Sequence, residues 1–339
     1  MLRETILEKA KKIGIEMIGF TRADPFYSIE SILKERIAEN NSPEFEEKNI
    51  EIRLDPKKTM ENCKSIIVIG LSYYTDMERK DIPNIKGSLS RSSWGIDYHR
   101  VLTEHMKRLV DELEETIEFE SMIFTDTGPL VDRELAYRAG IGYYGKNCSL
   151  INPKYGSFFF IGYILTNLDI AENDILLQNQ CGDCELCLKA CPTNALLGSG
   201  KLDTKRCISY LTQTKKPIKE ELARKMGIKI YGCDTCQLVC PKNRGIEKST
   251  HIEFKPYKTG GFVDIEELVE MSKRAFNSKY GDMSGSWRGK NVLIRNSLIA
   301  LNNISLDEHY NLIKDVHLKQ VELLKPYASM WLENYDRRQ

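Results

Sequence analysis

Apolar and polar residues along this 339-residue chain alternate between the spacing typical of helices and that typical of strands. Leu2 to Ile13 and Tyr98 to Ile117 place apolar residues three or four positions apart, which predicts two amphipathic helices. Ile66 to Leu71 and Ser157 to Leu165 are apolar runs rich in β-branched and aromatic residues, which predicts two buried strands. Helices that alternate with such strands indicate an α/β sheet domain over residues 1–175.

Further helices are predicted in the middle and at the end of the chain. A proline at the first turn and a glycine at the end predict a helix from Leu130 to Ala139. Asn291 to Leu301 and Val316 to Trp331 carry apolar residues on two faces, as in a truncated HEAT-type repeat. One such repeat cannot bury its own apolar face. We therefore expect the α-helical region 246–339 to pack on the segment before it.

The composition is ordinary for a globular protein, with 41% apolar residues, 29% charged residues and a formal charge of zero. A chain of this length is expected to form two or three folding units. Since no stretch approaches the roughly 18–20 apolar residues of a membrane span, we expect no membrane contact. We also expect the protein to be a monomer. The first residues predict an amphipathic helix rather than a signal peptide, so a cytoplasmic location is expected.

Eight of the ten cysteines form two runs with the spacing of iron–sulfur ligands. The first run is C-x-x-C-x-x-C-x-x-x-C followed by proline, and the second repeats C-x-x-C-x-x-x-C-P. A cysteine between the runs replaces the thiol that the second run lacks. In two-cluster ferredoxins the last cysteine of each run binds the other cluster. The predicted ligand sets are Cys181, Cys184, Cys187 and Cys240 for one [4Fe–4S] cluster (cluster 1), and Cys191, Cys207, Cys233 and Cys236 for the other (cluster 2).

Zinc and disulfides are the alternatives for these thiols. Zinc sites seldom use three cysteines at this spacing followed by proline, and a reducing cytosol disfavours disulfides. We therefore interpret the cysteine-rich segment, residues 176–245, as a ferredoxin-like domain that binds two [4Fe–4S] clusters. Cys63 is expected to be a small buried residue, whereas Cys148 adjoins a candidate binding stretch.

Basic residues concentrate in two places. They are Lys201, Lys205, Arg206, Lys215, Lys216, Lys219, Arg224, Lys225 and Lys229 in the insertion between the cysteine runs, and Arg288, Lys290 and Arg295 further on. Charge runs usually form a solvated surface, but patches on a neutral protein also suit a phosphate-bearing partner.

Iron–sulfur clusters move single electrons, so the large domain before them implies a second cofactor or a terminal acceptor. Neither a G-x-G-x-x-G dinucleotide motif nor a P-loop is present. Asp97-Tyr98-His99 is similar to the D-x-H start of one cobalamin motif, but Leu102 stands where that motif requires glycine. A cobalamin ligated by histidine is therefore disfavoured.

Several motifs together resemble the epoxyqueuosine reductase family. The stretches that carry the resemblance are residues 53–56, 90–99, 126–129, 139–147, 207–212 and 231–234 and both cysteine runs. The resemblance implies base-off cobalamin in the N-terminal domain, reduced one electron at a time through the two [4Fe–4S] clusters by an external low-potential electron donor. The implied substrate is epoxyqueuosine at the wobble position of a tRNA anticodon stem-loop. Its epoxide oxygen would leave as water, giving queuosine.

The same resemblance implies roles for particular residues. Asp126 is the candidate proton donor, provided that burial beside apolar groups keeps it protonated, and the alternative is a helix N-cap, a role that Thr127 could take instead. The candidate corrinoid-binding residues are Arg53, Ser92, Trp94, Asp97, Tyr98, Arg133, Lys146, Asn147 and Ser149. The alternatives are surface ion pairs for Arg53 and Arg133 and a plain helix C-cap and turn for residues 140–147. The other functions considered are a corrinoid reductive dehalogenase, whose usual twin-arginine signal is missing here, and a non-catalytic electron carrier.

Overall fold

The computed structural model describes residues 2–75, 86–170, 175–304 and 307–339. The helices are α1 (Leu2–Ile13), α2 (Glu30–Ala38), α3 (Ile50–Leu54), α4 (Tyr98–Glu114), α5 (Asp132–Arg138), α6 (Leu186–Ala190), α7 (Ile208–Leu211), α8 (Glu220–Met226), α9 (Thr235–Leu238), α10 (Ile265–Glu270), α11 (Lys273–Tyr280), α12 (Lys290–Ile304), α13 (Tyr310–Leu318) and α14 (Lys325–Asp336). The strands are β1 (Met17–Arg22), β2 (Ser65–Ser72), β3 (Lys86–Leu89), β4 (Ser121–Thr125), β5 (Tyr143–Tyr144), β6 (Leu150–Ile151), β7 (Phe159–Thr166), β8 (Leu196–Gly198), β9 (Lys201–Leu202), β10 (Lys229–Tyr231) and β11 (Phe262–Asp264).

The main sheet has the strand order β1-β2-β7-β4, and all its pairs are antiparallel. Its central strand β2 is buried along its whole length because helices cover both faces of the sheet. Ile67 and Ile69 face the core formed with α1 and α4, whereas Ile66 and Val68 face the core formed with α5. Both strands predicted from apolar runs are present, but such runs report burial on two faces rather than parallel pairing. The predicted mixture of helices and sheet is confirmed. The main sheet is antiparallel, however, and does not have the α/β alternation that the sequence predicts.

A second sheet joins the three predicted units. In it, β3 pairs in parallel with β10 of the basic insertion and antiparallel with β11, which follows the cysteine-rich segment. One sheet thus contains a strand from each of the three units, with β3 in the centre between β10 and β11. The domain boundaries at 175 and 245 therefore stay predictions.

The C-terminal helices pack on the basic insertion, as their two-faced pattern predicts. Leu293 and Leu298 of α12 share one apolar core with Leu222 and Met226 of α8, and Trp331 of α14 is fully buried in it. The single helix predicted from Val316 to Trp331 is wrong, because a turn separates α13 from α14. Among the described residues no helix has the length and apolar character needed to cross a bilayer.

Candidate cluster sites and catalytic loop

The four predicted ligands of cluster 1 surround one cavity. Its lining includes Cys181, Cys184, Cys187 and Cys240, together with Asn147. The first three come from the loop before α6 and from α6 itself, and Cys240 comes from the turn after α9. Because α6 and α9 pack together, the last cysteine of the second run lies beside the first three of the first run. This is the arrangement that the crossover rule predicts.

The second predicted set is also brought together. Burial raises the pKa of the Cys207 thiol to about 11, and the negative charges of Cys233 and Cys191 add to this effect. Burial likewise raises the pKa of Cys236, reinforced by the charges of Cys207 and Cys233. Cys207 and Cys236 are thus close to Cys191 and Cys233, so the four predicted ligands of cluster 2 lie together.

No group of three or more His, Cys, Asp or Glu side chains in the described ranges converges as a single-ion site. A zinc ion would draw its ligands to about 2.3 Å from one point. The cluster 1 thiols line a cavity of about 30 Å³ that is partly open to solvent. The spacing of the cysteine runs, each of which ends in Cys-Pro, is what favours iron–sulfur clusters over a zinc ion.

Asp126 is the candidate proton donor and lies in the loop between β4 and α5, a candidate catalytic loop that is called the catalytic loop below. Its backbone has a φ of 54°, in the left-handed region that Asp and Asn adopt more readily than most residues. The loop is held by the Asp126 N–H, which donates to the Asp132 carboxylate at 3.0 Å. The Tyr98 hydroxyl donates to Asp126 Oδ2 at 2.6 Å. These two contacts hold the loop backbone and the carboxyl group of Asp126 in place.

The start of α4 supports this carboxyl group from one side. Tyr98 stacks on Phe160 of β7 with ring centroids 4.2 Å apart and planes 6° apart. The imidazole ring of His99 stacks on Tyr98. Its Nδ1 forms a hydrogen bond with Asp97 Oδ1 at 2.7 Å, and its Nε2 lies 3.8 Å from Asp126 Oδ2. Asp97 also caps α4 by accepting the His99 N–H at 3.1 Å. One helix start thus places a phenol and an imidazole beside Asp126.

The electrostatics keep protons on the groups around Asp126. Burial and the charge of Asp126 hold the pKa of Tyr98 well above its usual value, so the phenol remains a donor. Burial lowers the pKa of His99, but its hydrogen bond to Asp97 and the charges of Asp97 and Asp126 outweigh this effect and raise it. Burial raises the pKa of Asp132 to about 7, and the charge of Asp126 contributes.

The Asp126 side chain is 64% exposed, so the protein's own groups do not provide the apolar burial expected around it. The helix-cap alternative is wrong. Neither Asp126 nor Thr127 caps a helix, since α5 begins at Asp132 with Val131 at its N-cap, which makes no side-chain cap bond. Asp126 is therefore free of the structural role that competed with proton donation.

Two candidate corrinoid contacts before α4 are engaged inside the protein. The Ser92 hydroxyl shares a hydrogen bond with Ser90 at 2.8 Å. Trp94 donates its indole N–H to the Leu89 carbonyl at 3.0 Å, and the guanidinium of Arg91 lies 4.6 Å from its ring centroid. These contacts fix both side chains in orientation, and their role toward a corrinoid stays a prediction.

The two candidate arginines also have partners. Arg53 is buried and pairs with Glu46 at 2.8 Å, which accounts for its burial without a ligand. Arg133 is exposed and donates to the carbonyl of Cys148 at 2.5 Å. Arg133 thereby links α5 to the 140–149 stretch, and a corrinoid contact from either arginine stays a prediction.

Lys146 and Asn147 line the cluster 1 cavity, and Asn147 Oδ1 accepts the Ser149 N–H at 3.2 Å. Internal packing accounts for one of the neighbouring glycines, since a Cβ on Gly145 would lie 2.6 Å from Ile151 Cδ1. The structure thus brings two of these candidates to the iron–sulfur end of the molecule.

Three residues beside the sites are not among the site residues predicted from the sequence, although two of them lie in the stretches 139–147 and 231–234 that carry the resemblance. Asp132 follows Asp126 by only six residues, and this short separation is a sequence signal that could have predicted the contact between them. Tyr231 is buried, and the charges of Asp126 and Asp97 contribute, after burial, to its raised pKa, so it lies near the catalytic loop. Tyr143 packs against a cluster 1 cysteine. Only tertiary contacts identify the last two.

Two sets of four predicted cysteine ligands, in a chain that also presents an exposed carboxyl group at Asp126, are typical of an iron–sulfur oxidoreductase. Two family models match: "4Fe-4S double cluster binding domain" over residues 180–243 and "Epoxyqueuosine reductase QueG, DUF1730" over residues 53–127. The epoxyqueuosine reductase of Lactococcus garvieae is 40% identical over 99% of this chain and 97% of its own length. The chain belongs to the epoxyqueuosine reductase family.

Solved structures of this family share the fold. An epoxyqueuosine reductase crystallised with an epoxyqueuosine-modified tRNA-Tyr stem loop is 38% identical, with a TM-score of 0.93 over 97% of this chain and 89% of that one. A Bacillus subtilis epoxyqueuosine reductase with a catalytic aspartate loop swung out of the active site has a TM-score of 0.91 at 38% identity, over the same shares of the two chains.

Proposed function

We propose that this protein reduces epoxyqueuosine to queuosine in tRNA. The observation that carries the proposal is the pairing of two four-cysteine sets with the exposed Asp126 carboxyl group in a chain of this family. Converting the epoxide to an alkene consumes two electrons and two protons and releases one water molecule. The clusters deliver the electrons singly from an external low-potential donor. A tRNA substrate agrees with the expected cytoplasmic location.

Base-off cobalamin is proposed as the second cofactor. When bound, it would supply a strongly reducing cobalt centre to the substrate. The structure fits a corrinoid without a histidine ligand, because both ring nitrogens of His99, the histidine beside Asp126, face carboxylates at 2.7 and 3.8 Å. The residues proposed to hold it are Arg53, Ser92, Trp94, Asp97, Tyr98, Arg133, Lys146 and Ser149, whereas Asn147 lines the cluster 1 cavity.

Asp126 is proposed to protonate the departing epoxide oxygen. Tyr98, which donates a hydrogen bond to Asp126 Oδ2, orients the carboxyl group. His99 provides a second proton store, since its raised pKa favours the imidazolium form beside two carboxylates.

The decisive experiment is anaerobic reconstitution of the clusters, addition of cobalamin and assay on epoxyqueuosine-containing tRNA by nucleoside mass spectrometry. Formation of queuosine supports the proposal. Turnover of halogenated aromatic compounds without queuosine would indicate a reductive dehalogenase. Protein that acquires clusters but never retains a corrinoid would indicate an electron carrier.

We expect the rate of reduction to fall at alkaline pH because His99 loses its proton. Since the pKa of His99 is raised above 6.5, the imidazolium is present below the raised value and is lost as pH rises through it. The single-turnover rate should fall by up to about tenfold per pH unit beyond that point. His99→Asn should lack this alkaline limb, whereas His317→Asn should retain it. An unchanged limb in His99→Asn would contradict the assignment.

The basic surface is smaller than the sequence predicts. Arg295 cannot contact tRNA phosphate, because it is fully buried and donates to the carbonyls of Thr214 and Leu211. Arg288 donates to the Gln213 carbonyl. Exposed lysines remain at Lys215, Lys216 and Lys219 in the insertion. These three are the proposed phosphate contacts.

Affinity for the anticodon stem-loop should therefore fall steeply with salt. Replacing Lys215 or Lys216 with alanine should reduce the slope of log K against log salt by about 0.7 to 0.9 for each phosphate that the variant no longer neutralises. Lys201→Ala is the control, since Lys201 already pairs with Glu35 at 2.6 Å. Fluorescence anisotropy at several salt concentrations measures the slope, and an affinity that does not depend on salt would exclude this surface.

A further inference from the structure

Among the buried side-chain atoms that lack a partner within the described residues, two donors lie beside the cysteines of cluster 1. They are the Tyr143 hydroxyl and the Asn147 side-chain nitrogen. Tyr143 is 1% exposed and Asn147 is 6% exposed, so water does not readily replace a partner. Buried polar groups are nearly always hydrogen-bonded, and an exception near a cofactor site points to a ligand.

Both donors lie beside the predicted ligands of cluster 1. Tyr143 packs with Cys240 and Cys181, and Asn147 lines the cavity that these cysteines share. The two residues reach these cysteines from β5 and from the turn that follows, so they approach from the same stretch of chain.

Neighbouring side chains of the same types are satisfied by the protein. The Tyr144 hydroxyl donates to Glu134 at 3.2 Å. Asn243 donates to Ser157 Oγ at 2.9 Å and to the Gln237 carbonyl at 2.7 Å. Asn147 uses its oxygen to accept the Ser149 N–H, which leaves its nitrogen as the unpaired end. Other buried donors, such as the Trp331 indole N–H in the C-terminal core, are also unpaired, so the position of Tyr143 and Asn147 beside the cluster 1 cysteines is what indicates a ligand.

We propose that Tyr143 and Asn147 donate hydrogen bonds to sulfur atoms of cluster 1 and raise its reduction potential relative to that of the same site without them. Reduction adds negative charge to the cluster sulfurs, so donors aimed at them stabilise the reduced state more than the oxidised one. The inference rests on the ligand set proposed for cluster 1. It assigns Asn147 to the iron–sulfur cluster rather than to the corrinoid.

The test is a potentiometric titration followed by electron paramagnetic resonance on the full chain with reconstituted clusters and no corrinoid or tRNA. In Tyr143→Phe and in Asn147→Ala, the reduction equilibrium of cluster 1 should become up to about tenfold less favourable, a shift of about 59 mV to more negative potential. The potential of cluster 2 should not change. Tyr144→Phe is the matched control and should leave both potentials unchanged. The signal of cluster 1 is assigned by its loss in Cys184→Ser.

A second measurement keeps the inference testable if a variant fails to take up clusters. Reduced cluster 1 in the unmodified protein should show couplings to exchangeable protons that disappear in deuterium oxide. Unchanged cluster potentials in both variants, or no exchangeable coupling at cluster 1, would overturn the inference. Loss of corrinoid affinity in Asn147→Ala with unchanged potentials would also overturn it. Because tRNA is not used, none of these results decides whether the protein reduces epoxyqueuosine.

Discussion

Asp126→Asn is expected to lower the rate of epoxide reduction by about 10²- to 10⁴-fold, the usual contribution of general acid catalysis. Asparagine preserves the shape of the side chain and tolerates the φ of 54° at this position, but it has no carboxyl proton to give. The fold and the hydrogen bond from Tyr98 can both persist, so the loss is confined to proton transfer. Single-turnover assays with prereduced holoenzyme, read by nucleoside mass spectrometry, measure it.

The controls separate chemistry from assembly. Asp126→Asn should retain iron, cobalamin and tRNA affinity, and Asp24→Asn, at an exposed aspartate paired with Arg22, should keep full activity. Asp126→Ala should lose activity similarly and some stability as well, because alanine is strained at this φ. Undiminished turnover in Asp126→Asn would remove the acid role without affecting the cluster assignment.

Removal of a single crossover cysteine is expected to abolish one complete cluster and all turnover. Cys240→Ala should lose cluster 1, although Cys240 belongs to the second cysteine run, because the structure places it with the first three cysteines of the first run. Iron content should fall from about eight to about four atoms per chain. Cys191→Ala should instead lose cluster 2, since Cys191 lies within reach of the Cys207 charge.

Electron paramagnetic resonance of the two variants distinguishes this arrangement from clusters built within each run. The signal that survives in Cys240→Ala should be the one lost in Cys191→Ala and in Cys236→Ala. Cys63→Ala is the control, since Cys63 is buried in the core of the N-terminal sheet, and it should keep both clusters. If Cys240→Ala and Cys236→Ala lost the same signal, the crossover would be wrong.

Local patterns in the sequence identify elements whose cause is local. The helix predicted from Leu2 to Ile13 has those bounds in the structure, and α4 begins at the predicted residue, Tyr98. Cysteine spacing is equally local, because three thiols on one short loop and helix can reach only one cluster. The partner of each run follows from the crossover rule, and the packing of α6 on α9 agrees with it.

Local patterns in the sequence do not predict contacts between distant segments. The continuous apolar run of β2 predicts burial but leaves strand direction open, because side chains of either pairing alternate between two covered faces. Arginine is a residue type that often binds phosphate, and the sequence therefore favoured Arg295 as a phosphate contact. Packing of α12 against the basic insertion buries Arg295 among backbone carbonyls instead. Charge in a sequence therefore does not report accessibility.

The sequence by itself predicted the cysteine runs of the cluster ligands, most of the main helices and strands, and the motif that carries Asp126, because each of these patterns depends on spacing within a few residues. Only the tertiary structure decided that Asp126 is exposed, that Tyr98 and His99 support it, and that Tyr143 and Asn147 lie unpaired at cluster 1. Burial and hydrogen-bond pairing are properties of the assembled chain, since they depend on which distant atoms exclude water or supply a partner.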